Sequence, residues 1–194
     1  MINMTSKGML DTRGRIIWIT RTAMFIALLI VMQAFTAPLG NTWITGSLVN
    51  MMLAVSVIFG GLWSGIAVAV ISPFFASLFG IAPPFPIIIP FIAAGNGALV
   101  IVWYFVSKLN FQKPWVSSTA AMILGAVAKF LVLHIGVTMI VVPIVLELPQ
   151  PQATVISGVF SFPQLVTALI GGTVALIISP MVMRARSKSI TQDQ

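Results

Sequence analysis

Apolar residues fall in long runs along this chain, and polar residues gather between the runs. The first run covers about residues 16–35, and Ala37-Pro38-Leu39-Gly40-Asn41-Thr42 ends it. A second covers about 46–59. The tight turn Gly60-Gly61-Leu62-Trp63-Ser64-Gly65 separates it from a third run that ends near residue 79. Three prolines in Gly80-Ile81-Ala82-Pro83-Pro84-Phe85-Pro86 remove backbone donors and exclude a helix interior. A fourth run covers about 87–106, a fifth about 115–142, and a sixth about 155–183 with Pro163 inside it. A membrane-crossing helix needs roughly 20 apolar residues. The pattern therefore predicts an all-α membrane protein with six transmembrane helices in one domain over residues 1–194. Runs two and three are short, so a helical hairpin that does not cross fully is the alternative for that pair.

Composition agrees with lipid as the solvent. Of 194 residues, 59% are hydrophobic and 7% charged, where a soluble domain is about a quarter charged. Such a chain cannot cover a water-exposed surface with polar groups. The absence of cysteine excludes disulfides and thiolate metal sites. One histidine and three carboxylates are too few for most metal sites or acid–base pairs, so neither an enzyme nor a cofactor is expected. No cleavage-type signal precedes the first run, which is expected to stay in the mature protein.

Charge placement tests the number of crossings. Lys7, Arg13, Arg15 and Arg21 flank the first run, Lys108 and Lys113 follow the fourth, and Arg184, Arg186 and Lys188 follow the sixth. The connections after runs one, three and five hold neither Lys nor Arg. Cytoplasmic flanks collect these residues. Six crossings put every basic segment on one side, with residues 1–15 and 184–194 as cytoplasmic ends. The basic residues thus mark topology and do not form a nucleic-acid patch.

With a rise of 1.5 Å per residue, each polar residue inside a run can be given a depth. Gln33 lies in the outer half of the first, Asn50 about one turn into the second, and Asn96 near the middle of the fourth. Lys129 lies near the middle of the fifth with His134 further out, and Gln164 follows Pro163 in the outer part of the sixth. The outer connections carry Asn41, Thr42, Trp43 and Thr45, then Pro83, Pro84 and Phe85, then Glu147, Gln150 and Gln152. Polar span residues and lid-like loops on one side predict an outward-facing pocket. Its candidate substrate-binding residues are Asn41, Trp43, Asn50, Asn96, Lys129, His134 and Gln164. A charge at mid-bilayer costs on the order of 3 kcal/mol, so Lys129 should face the bundle interior. It either meets a polar or anionic substrate group or pairs with a backbone carbonyl, Asn96 or Glu147. His134 reads more simply as a helix-end or interfacial residue. Asn50 and Asn96 serve equally as helix–helix hydrogen bonders, and Gln164 as repair of a proline-broken helix.

Small residues one turn apart let another helix come close. Ala23 and Ala27 have that spacing, as do Gly61 with Gly65 and Gly171 with Ala175. The chain resembles the substrate-binding S-components of energy-coupling factor (ECF) vitamin transporters. The resemblance rests on the Ala23-xxx-Ala27 pair, the basic N-terminus, and the stretches Gly46-Ser47-Leu48-Val49-Asn50, Gly60-Gly61-Leu62-Trp63-Ser64-Gly65 and Pro90-Phe91-Ile92-Ala93-Ala94-Gly95-Asn96. It implies a multi-pass subunit of a bacterial or archaeal cell membrane that captures a water-soluble vitamin or precursor from outside. It further implies docking through Ala23 and Ala27 onto a transmembrane coupling subunit driven by two cytoplasmic ATPases. Pantothenate, pyridoxine- or hydroxymethylpyrimidine-like compounds and cobalamin are the substrates it brings into view. A stand-alone secondary transporter of a small polar solute is the competing reading. It would be supported by an inverted repeat, and runs one to three do not match four to six in their Pro and Gly positions.

Overall fold

The structure, a computed structural model, describes residues 3–109 and 113–192, with side-chain surroundings for 12–109, 113 and 115–183. The side chains of Lys7, Arg184, Arg186 and Lys188, and the ends of both terminal segments, lie outside those limits. Helix α1 spans Asn3–Thr36. Pro38 then disfavours helix at the residue before it, and the chain leaves through a 3-10 turn, Ala37–Leu39, closed by Gly40 at φ 60°. Asn41 caps α2, Thr42–Leu78, its side-chain oxygen accepting from the N–H groups of Trp43 and Ile44. Gly80 takes φ 68°, and the proline-rich stretch beyond it leads through a 3-10 turn, Pro86–Ile88, into α3, Ile89–Ser107. Helix α4 spans Pro114–Leu133 and continues as a π-helical segment, His134–Val145. Helices α5, Gln150–Val159, and α6, Phe162–Gln192, complete the chain.

Among the described residues, five helical runs are long and apolar enough to cross a membrane, where the sequence pattern predicts six. The difference lies in α2, which holds both predicted runs two and three. Gly61 takes φ 79° and ψ −177° inside it, a conformation open to glycine and strained for any residue with a Cβ. There the backbone doubles back. A Cβ placed on Gly65 would stand 3.2 Å from the Cβ of Val57, although eight residues of straight helix would separate them by about 12 Å. Residues 62–78 then run beside α1 in the same direction. Thr22 Oγ1 and Ser64 Oγ lie 2.7 Å apart, and eleven residues further along α1 the Gln33 amide reaches the carbonyl of Ser72.

The remaining corners follow from proline and glycine. Pro114 opens α4 where its missing N–H costs nothing. Pro143 sits inside the π-helical segment, where it cannot donate to the ladder. The predicted sixth run begins earlier than expected, at Gln150, and breaks at Phe160-Ser161 between α5 and α6. The core of α1, α2, α3, α4 and α6 is built on Leu53, Val68, Leu99, Val100 and Trp103. A second cluster joins Ile88 to Leu133, Val137 and Val141 of α4 and the π segment, and to Phe160. The outer surface is apolar, with Phe35, Leu78 and Trp63 each more than two-thirds exposed. A water-soluble monomer does not carry that much bare apolar surface.

Candidate binding cavity

A cavity of about 300 Å³ opens at the end of the bundle where α1 finishes and α3 begins. The size is at the lower end of the roughly 300–1,000 Å³ range of small-molecule sites. Its upper wall comes from Ile81, Ala82, Pro83 and Pro84 of the second connection and from Val155, Ile156 and Val159 of α5. The prolines hold that connection out of helix, which lets it lie across the opening. Thr42 and Thr45 enter from the start of α2, and Gln164 from the start of α6.

The floor is polar and has an ordered logic. Pro73 has no N–H, so the Ala69 carbonyl loses its helical donor. The hydroxyl of Ser72 turns back to that carbonyl at 3.4 Å. Committed as a donor, Ser72 Oγ accepts from the Asn96 side-chain amide at 3.0 Å, while its backbone carbonyl accepts from the Gln33 amide at 3.2 Å. Both amide NH2 groups are thereby assigned by their partners. Their oxygens, Gln33 Oε1 and Asn96 Oδ1, are buried without a hydrogen-bond partner. An unmet buried acceptor costs about 1–3 kcal/mol, so the pair is set up for donors from elsewhere.

Lys129 reaches the same cavity from α4 and is only 3% exposed. Its Nζ donates to Asn50 Oδ1 at 2.6 Å, Asn50 Nδ2 donates to Thr167 Oγ1 at 3.3 Å, and the Thr167 hydroxyl donates to the Pro163 carbonyl at 2.9 Å. This relay crosses from α4 through α2 to α6 and fixes the ammonium in place. An ammonium has three donors, and Asn50 takes one. No ion pair to Lys129 is found among the described residues. Glu147, a partner considered from sequence, is exposed at φ 46° and lines a different cavity with Gln150 and Thr154.

Of the seven residues expected to bind substrate, Asn96, Lys129 and Gln164 line the cavity, and Asn50 stands behind Lys129. Gln164 also donates to the Val159 carbonyl at 3.2 Å across the α5–α6 break. Asn41 is occupied as the cap of α2, and Trp43 faces a neighbouring smaller cavity with Thr154 and Gly158. His134 lies outside the cavity wall, stacked on Phe130 with Nδ1 at 3.2 Å from Ser161 Oγ. The Ser161 hydroxyl donates to Ser157, which makes His134 the donor of that pair. Gln33 and Ser72 complete the floor and were not among the expected set. Gln33 was legible as a polar residue deep in an apolar run, and Ser72 as a hydroxyl beside a proline in another.

Ala23 and Ala27 are both exposed, on the side of α1 turned away from the bundle. The family model described as "ECF transporter, substrate-specific component" matches residues 18–183. Neither a curated protein nor a solved structure matches the chain.

Proposed function

Because the chain belongs to the family of substrate-specific components of ECF transporters, we propose that it captures a small water-soluble vitamin or vitamin precursor at the outer face of the cell membrane for ATP-driven uptake. The observation that carries this reading is the cavity that holds two buried amide oxygens without a partner, Gln33 Oε1 and Asn96 Oδ1, beside the Lys129 ammonium. In this reading the chain crosses the membrane six times with both ends inside. The reversal at Gly61 supports that count, since it lets α2 cross out-to-in and return. The cavity then faces outward, opposite the basic connection that carries Lys108 and Lys113. A cavity of about 300 Å³ favours a compact substrate over cobalamin.

The partners are a transmembrane coupling subunit and two cytoplasmic ATPases. Ala23 and Ala27 are the docking face, and their exposure and small size suit close approach of another helix. Uptake of labelled vitamins into vesicles tests the whole reading. ATP-dependent uptake only when the coupling module is present is expected, and gradient-driven uptake by the chain alone would establish the secondary-transporter alternative. Ala23→Trp and Ala27→Trp should abolish uptake while ligand binding by the isolated chain stays within about twofold, because neither alanine packs inside the bundle. Loss of binding in either variant would remove the docking assignment.

A further inference from the structure

The cavity floor is specific about the chemistry it can take, and we infer that its substrate is a small acid, with a carboxylate or phosphate at Lys129 and N–H or O–H donors directed to Gln33 and Asn96. The inference rests on reading this cavity as the substrate site. The sign at each position follows from the hydrogen-bond network. Gln33 and Asn96 each give an N–H to Ser72, and each has its oxygen buried without a partner. A ligand group placed there must donate. Asn50 gives an N–H to Thr167, and its oxygen, turned to Lys129, holds the ammonium without neutralising it.

Charge decides the second half. Lys129 is the one ionic side chain in the cavity wall among the described residues. A buried ammonium facing one neutral amide remains short of both charge and acceptors. An anionic ligand group supplies both at once, through a charge-assisted hydrogen bond. A cationic ligand would meet Lys129 at close range with no carboxylate to offset it. The remaining wall, from Pro83 and Pro84 to Val155 and Ile156, is apolar and suits a short hydrocarbon or ring between the two polar ends.

The test uses the full-length chain alone, purified in detergent, with titration calorimetry against acids and their uncharged counterparts. The pairs are pantothenate with pantothenol, nicotinate with nicotinamide, biotin with biotinol, and pyridoxal phosphate with pyridoxal. One acid is expected to bind roughly tenfold to a hundredfold tighter than its neutral partner, the worth of a hydrogen bond to a charged group. In Lys129→Met that difference should collapse. In Asn96→Leu both members of the pair should weaken together, since the lost acceptor serves the part they share. Equal binding of acid and neutral partner by the parent chain overturns the inference without recourse to any variant. So does binding of neutral compounds alone, or of no acid in the panel. Binding is read without the coupling module, so failure of uptake with the module leaves this result standing, and the two readings fail separately.

Discussion

Lys129 is a buried cation held by a neutral amide. Its ammonium, Asn50 and Thr167 form one donor-to-acceptor relay from α4 through α2 to α6. Removing the middle member leaves a buried charge with nothing to hold it. Asn50→Leu should therefore lower stability by about 1.5–3 kcal/mol, the range for a lost hydrogen bond to a charged group. Lys129→Met, which removes the charge along with its need, should cost far less and can even stabilise. The double variant should then recover most of the loss seen in Asn50→Leu. Thermal unfolding of the three variants in one detergent measures this coupling directly. Additive losses would mean that Lys129 does not depend on Asn50. At this scale the sequence was informative where a residue was costly to bury. Depth alone pointed to Asn96 and Lys129, because a polar group in an apolar run needs a partner. Asn41 stands just before an apolar run, which is also the position of a helix cap, and its oxygen takes that role.

The elements were legible to the extent that proline and glycine punctuate them. Pro38, the prolines of residues 83–86 and Pro114 mark boundaries that the helices respect. The turn at residues 60–65 proved narrower than its composition suggested. One glycine at φ 79° makes the reversal, and helix continues on both sides of it. The π-helical segment His134–Val145 was not legible, because an apolar run has the same appearance whether its backbone winds as α or π. Close helix contacts were only half visible. Gly171 has the small-residue spacing seen from sequence, but its weight comes from what it touches. A Cβ there would collide with the carbonyl of Ser47 and would stand 2.6 Å from the backbone nitrogen of Met51. Backbone cannot swing aside as a side-chain tip can. Gly171→Val should destabilise by about 1–3 kcal/mol through overpacking, and it should disturb binding as well, since Asn50 lies at the same contact. Gly97→Ala is the control: its Cβ meets nothing within 4 Å, and it replaces a glycine inside α3. It should gain up to about 1 kcal/mol from helix propensity. Comparable unfolding temperatures for the two variants would refute the close contact of α6 with α2.

At the scale of the whole molecule, one geometric feature separates five crossings from six. If α2 crossed the membrane once, the connection after α1 and the connection before α3 would lie on opposite sides. With the reversal at Gly61 both lie at the cavity end of the bundle, and six crossings put them on one side of the membrane. The chain has no cysteine, so single-cysteine variants report without background. Leu39 and Pro84 are exposed in those two connections, and Lys113 is exposed at the start of α4, at the other end of the bundle. In intact cells a membrane-impermeant maleimide should label Leu39→Cys and Pro84→Cys to similar extents. Lys113→Cys should label only after the cells are permeabilised if, as proposed, the basic connection faces the cytoplasm. Labelling of Leu39→Cys without Pro84→Cys would return α2 to a single crossing. Labelling of Lys113→Cys from outside would invert the protein and turn the cavity toward the cytoplasm. A substrate-capture subunit could not work in that orientation, so this one experiment bears on the topology and on the direction of transport together.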